Sequence, residues 1–164
     1  MSERDDSHDP GALRERLEAA RERLARIPIS RPRHVGPRDP STGESWHRGN
    51  VLGHLSEMLP YWTDQIRRAK AGSGKMGRDE EGATQRRQGI EQGDAAGEAE
   101  LKRAIDRGIA GAAKLLEKLT PEDLERTVDF HNREGNRSAR VGELVQTLIV
   151  GHLEDHVQQL TDLE

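Results

Sequence analysis

His152 and His156 stand four residues apart in the run Val150-Gly151-His152-Leu153-Glu154-Asp155-His156. On a helix that spacing separates two side chains by about 40° and about 6 Å of rise, so both imidazoles reach one point beside the axis. This is a metal-ligand spacing. Apolar residues at Val141, Leu144, Val145 and Leu148 precede the pair and Leu160 follows it, and the histidines continue that stripe, which turns them inward. An inward imidazole needs a partner for each ring nitrogen. A divalent metal on one and a hydrogen bond on the other would supply them, and so would two hydrogen bonds in a core without metal.

Composition narrows the chemistry. Of 164 residues, 32% are apolar, 2% aromatic and 34% charged, which predicts a lean aliphatic core built from amphipathic helices. The absence of cysteine removes disulfides, thiolate ligands and thiol nucleophiles, so histidine and carboxylate are the available ligands and any thiol must come from outside. A net charge of -4 with interspersed signs offers no broad basic footprint for nucleic acid. The N-terminus is acidic and polar, and no apolar run matches a membrane span. The expected protein is cytoplasmic, with no nucleic-acid or membrane partner.

Residues 1–10 carry charge and almost no apolar surface and read as a disordered tail containing His8, ahead of one domain over 11–164. Helix one is expected over Gly11–Ile27, with Leu13, Leu17, Ala20 and Leu24 inward. Pro28, Pro32, Pro37 and Pro40 then impose a long connection, of a kind that often covers a site. Ser45 is a candidate N-cap for helix two, Trp46 to Lys70, whose face is Val51, Leu55, Met58, Trp62 and Ile66 with His54 on its shoulder. Pro60 predicts a kink there. Ala71–Ala96 shows no apolar period and reads as a linker; its Gly74-Lys75 pair lacks the rest of a phosphate loop. Helix three spans Gly97–Leu119, with Gly108 and Gly111 pointing to close packing, and Thr120-Pro121 caps a short turn. Asp129–Arg137 reads as a polar loop, and Ser138 as the N-cap of helix four, which ends near Thr161.

The expected architecture is an all-α four-helix bundle. A linker of roughly 25 residues can cross the bundle after helix two, which leaves two and three parallel and two and four antiparallel. His54 then lies about 12 Å from the start of its helix, and His152 and His156 lie about 15 and 9 Å from the end of theirs. The three imidazoles come out level. Glu57, Glu154 and Asp155 are candidates to orient them from behind, against the plainer reading of a solvated charged face. His47 shares the face of His54, as a spare ligand, a proton shuttle or a surface histidine; His34 and His131 fall in loops that border the pocket.

Trp46 with Val51-Leu52-Gly53-His54-Leu55, and Val150-Gly151-His152-Leu153-Glu154-Asp155-His156, resemble the DinB/YfiT-like metalloenzymes, a family that includes the N-terminal domain of mycothiol-dependent maleylpyruvate isomerases. Gly77-Arg78 and Glu143-Leu144-Val145 look like the family as well. The resemblance implies an up-down-down-up bundle with long connections after helices one and two, a homodimer, and a divalent metal on His54, His152 and His156. It further implies activation of a small thiol such as mycothiol for transfer to an electrophile or for isomerisation; imidazole ligands without a thiolate point to zinc or nickel as the ion, with iron and manganese as alternatives. A metal-dependent hydrolase and a non-enzymatic helical stress or binding protein are the competing readings.

Overall fold

The computed structural model describes residues 8–28 and 34–163. Most of the expected tail lies outside them, but its last residues belong to the fold: Asp9 caps α1 (Pro10–Arg26) by accepting from the Ala12 amide, and Pro10 occupies the first turn, where its missing N–H costs nothing. Leu13, Leu17, Ala20 and Leu24 are buried. The second helix, α2 (Arg48–Lys70), begins later than Ser45 would place it, because His47 is the cap. Its side chain accepts from the Asn50 amide, and the Asn50 side chain answers the His47 N–H. The helix runs on through Pro60.

The stretch expected to be a linker is structured. It contains β1 (Lys75–Gly77) and α3 (Glu80–Ala95), whose buried residues are Gly82, Gly89, Ile90 and Gly93. Three of the four are glycine because α3 approaches α2 backbone to backbone. A Cβ on Gly53 would strike the Gly89 carbonyl, and one on Gly93 would strike the Gly49 carbonyl. The pairing of Gly49 with Gly93 and of Glu57 with Gly89 makes the two helices antiparallel. The chain thus returns along α2 by a helix about 24 Å long.

It then enters α4 (Glu98–Lys118). Arg48 meets Glu98 and Leu59 meets Gly108, so α4 runs parallel to α2. Gly108 is the close contact anticipated for it, whereas Gly111 faces open space. The short α5 (Pro121–Glu125) starts with the Thr120 cap. The predicted polar loop is instead a hairpin, β2 (Thr127–Asn132) and β3 (Gly135–Arg140), antiparallel to each other, with β1 parallel to β2 on the other side. Val128 and Phe130 alternate inward and Ser138 lies in β3, so the last helical rod starts at Val141.

That rod comprises α6 (Val141–Val145), a π turn (Gln146–Val150) and α7 (Gly151–Asp162). Arg16 and Arg23 of α1 meet Glu154 and Gln158 in the same direction, whereas His54 of α2 and Trp46 just before that helix meet His152 and His156 in reverse order. Since Arg14 and Arg21 of α1 pair with Glu117 and Asp106, α1 opposes α4. The principal helices α1, α2, α4 and the rod therefore run up, down, down, up. Their core is aliphatic and also encloses Met58, Met76, Trp62 and Phe130. No described helix is long and apolar enough to cross a membrane.

Candidate metal centre

The π turn decides how the histidine pair presents itself. Before it the buried side chains are Val141, Leu144 and Val145; Ile149 and Val150 are buried within it, and Leu153, Val157 and Leu160 after it. The stripe has moved about 100° around the helix, the angle of the one extra residue that a π turn inserts. His152 and His156 thus stand on the flank of the core stripe rather than continuing it, half-buried and facing a cavity. His54, 2% exposed, comes from α2 one residue after the Gly53 contact with α3.

The three rings converge. His54 Nε2 lies 3.1 Å from His152 Nε2, and one nitrogen from each of His54, His152 and His156 falls within a set no wider than 4.8 Å. Ring centroids are 4.7 to 5.1 Å apart. His156 Nδ1 is 2.8 Å from Gln159 Oε1, an acceptor, so Nδ1 carries the proton and Nε2 is left with its lone pair. His152 makes a hydrogen bond to the backbone of Leu148, which leaves its Nε2 in the same state. The Nε2 atoms of His54 and His152, 3.1 Å apart, need a proton or a cation between them, since two facing lone pairs would repel. Nitrogens at about 2.0–2.1 Å from a tetrahedral cation are about 3.3 Å from each other, close to the separation seen.

All three rings are poor bases here. Burial is the main cause in each, and it pushes His152 down to about 3 despite the Leu148 hydrogen bond; the neighbouring His156 and the charges of Arg78 and Arg86 add to it. His54 falls further, through burial and then the two other histidines. His156 is lowered by burial, with Gln159 and Asp155 opposing. Neutral, deprotonated nitrogens aimed at one point are what a divalent ion requires of imidazole. The donor set fits a metal on the Nε2 side of His54, whose Nδ1 is buried without a partner among the described residues.

The carboxylates singled out from the sequence take other partners. Glu57 is held by both terminal nitrogens of Arg78, Glu154 by Arg16, and Asp155 is exposed, acting on His156 through its charge. His47 caps α2 and contacts Asp94. His34 is exposed in its loop, and His131 lines a large cleft. Four contributors escaped the sequence reading as such. Gln159 fixes a tautomer, and Trp46 stacks on His156 with centroids 5.7 Å apart. Glu44 accepts from the Trp46 indole and binds Arg86. Pro37, Asp39, Thr42 and Glu44 of the connection after α1 enclose a cavity of about 220 Å³ over the rings, as a covering loop should.

A family model described as the DinB superfamily matches residues 8–160. No curated protein matches the chain. Among solved structures, YfiT from Bacillus subtilis, described as a probable metal-dependent hydrolase with an unusual four-helix bundle topology, superimposes with a TM-score of 0.73 at 14% identity, over 99% of this chain and 90% of YfiT. A mycothiol-dependent maleylpyruvate isomerase gives a TM-score of 0.63 at 15% identity over 94% of this chain, which spans 59% of the isomerase. At these identities the likeness is one of fold.

Proposed function

This chain belongs to the DinB superfamily, and from that premise we propose that it holds a divalent metal on His54, His152 and His156 and serves the transfer of a low-molecular-weight thiol to an electrophile. The observation that carries the reading is the convergence of three neutral imidazole nitrogens within 4.8 Å at a cavity wall. Three ligands leave a divalent ion an open position, where it lowers the pKa of an incoming thiol or water. The chain's own residues prepare the place. Gln159 and the Leu148 backbone fix two tautomers, Trp46 shields the rings, and the loop through Pro37 and Glu44 limits access of water.

Imidazole ligation suits zinc and nickel, ahead of iron and manganese. The fold likeness to the isomerase supports a thiol co-substrate of the mycothiol type, and the chain supplies no thiol of its own. A hydrolase, with water in the thiol's place, is the second reading, favoured by the coverage of YfiT almost end to end.

Protein purified without a histidine tag should contain about one divalent ion per chain, and His152→Ala should lose most of it by elemental analysis. Full retention by that variant sinks the site. Cobalt-loaded protein titrated with mycothiol should develop a thiolate-to-metal absorption band. The thiol should also consume a haloalkane or epoxide faster with loaded protein than with His156→Ala. A thiol that changes neither spectrum nor rate, while metal stays bound, leaves the hydrolase.

A further inference from the structure

A second cavity, about 950 Å³, opens from His54 and His152, shares Thr42, Glu44 and Arg86 with the first, and runs between α3 and the β2–β3 hairpin. Its walls carry Arg78, Arg86, Arg87, Arg133 and Arg137 against three glutamates. Glu57 and Glu143 pair with Arg78 and Arg137 from outside that lining, so arginines and acids balance and what the cleft offers a ligand is the donors that stay spare. Trp62, Ile90, Phe130 and Leu148 supply apolar wall.

The arginines are not equally free. Arg78 is consumed by Glu57 and the Gly82 carbonyl and lies over Tyr61, so its role is to hold the wall. Arg137 gives one bond to Glu143 and lies over Phe130 at the rim. Arg86 differs. Its side chain is only 18% exposed, yet of its five donors a single nitrogen, Nη2, is engaged among the described residues, by Glu44 at 3.1 Å. Its guanidinium lies 5.6 Å from the Trp46 ring, which touches His54 and His156, and it borders both cavities. A mostly shielded guanidinium with spare donors, facing a roomy cleft with apolar walls, matches the fork of a carboxylate carried on an apolar body.

We propose that this cleft binds a small amphipathic carboxylate, its head on Arg86 and its body against Trp62 and Phe130. The inference deepens the reading above, resting on it for the chemistry at the adjoining imidazoles, but binding of the acid itself needs the arginine and not the metal. Arg137, which gives Glu143 a single bond, offers spare donors at the rim as a second, weaker contact for the acid head.

The chain's two tryptophans, Trp46 and Trp62, line one cavity each, so intrinsic fluorescence reports occupancy. The probes are 4-phenylbutyrate, its neutral amide and inorganic phosphate, each titrated into metal-loaded and chelator-treated protein with metal content measured alongside. The acid should change the fluorescence saturably in both forms, and at least tenfold more tightly than the amide or phosphate. Arg86→Gln should weaken the acid tenfold or more in both the loaded and the chelator-treated form, and Arg137→Gln about threefold, which keeps a test in hand should the first variant fold poorly. Equal affinity for acid and amide, or for acid and phosphate, overturns the proposal. Unchanged affinity in both arginine variants also overturns it, as does binding that vanishes on chelation, since the anion would then be a metal ligand. Acid binding through Arg86 in a protein that holds no metal would overturn the metal reading and leave this one standing.

Discussion

Burial lowers the proton affinity of His54, His152 and His156 below the ordinary value of 6.5 that each recovers in the unfolded chain. Between those limits the unfolded state binds more protons, so stability rises with pH and is lost as pH falls. Each ring contributes about 1.4 kcal/mol per pH unit within its window, which opens near pH 6.5 and for His152 extends to about 3. Urea titrations of metal-free protein should therefore show a steep loss of stability from pH 6.5 to 5, and His152→Ala should reduce that slope. A flat profile would mean that the rings are solvated and charged. Metal loading should extend the stable range toward acid, because bound metal competes with the same protons. Gln159→Leu removes the acceptor that fixes the His156 tautomer and should weaken metal retention about tenfold, read by competition with a chelator.

The packing of α2 on α3 sits directly behind His54. Gly93→Ala would drive a methyl group into the Gly49 carbonyl, where no flexible side chain can yield, and the same holds for Gly53→Ala against Gly89. Either should cost about 1–3 kcal/mol by denaturation and displace His54 enough to lower metal content, whereas Gly111→Ala, with open space around it, should be neutral or slightly stabilising. These contacts also explain what the sequence concealed. A helix that buries Gly82, Gly89 and Gly93 has no apolar period to read, and glycine counts as a breaker until a second backbone is known to lie against it. The hairpin was hidden because β3 buries only Ala139, so half of the alternation is missing. By contrast, α1, α2 and α4 were legible because each carries a full aliphatic face. The histidine pair was legible because spacing by four survives any rotation of the helix as a whole. The π turn left a trace that was overlooked, namely the jump from Val141-Leu144-Val145 to Ile149-Leu153-Val157-Leu160, which no α-helix alone can put on one face.

Across the whole molecule, one end of the bundle is tied by Arg48, fully buried, which bonds Glu98 at the start of α4 and the Pro28 carbonyl beyond α1. Three segments distant in sequence meet on one guanidinium. Arg48→Met takes the guanidinium away from the buried Glu98 carboxylate and should cost about 1–3 kcal/mol, while the double variant Arg48→Met with Glu98→Leu should recover part of it, as judged by urea midpoints. A double variant no better than the single would show that Arg48 acts through Pro28 rather than through its ion pair.

The sulfur inventory has its own bearing on survival. The chain has no cysteine, and Met58 and Met76 are sealed in the core, so the described surface exposes neither thiol nor thioether. Among the described residues, alkylating agents and peroxides find no exposed thioether, and the chain offers them no thiol. A protein that brings a reactive electrophile into its own cleft would thereby escape the self-inflicted damage that limits the working life of thiol-bearing catalysts.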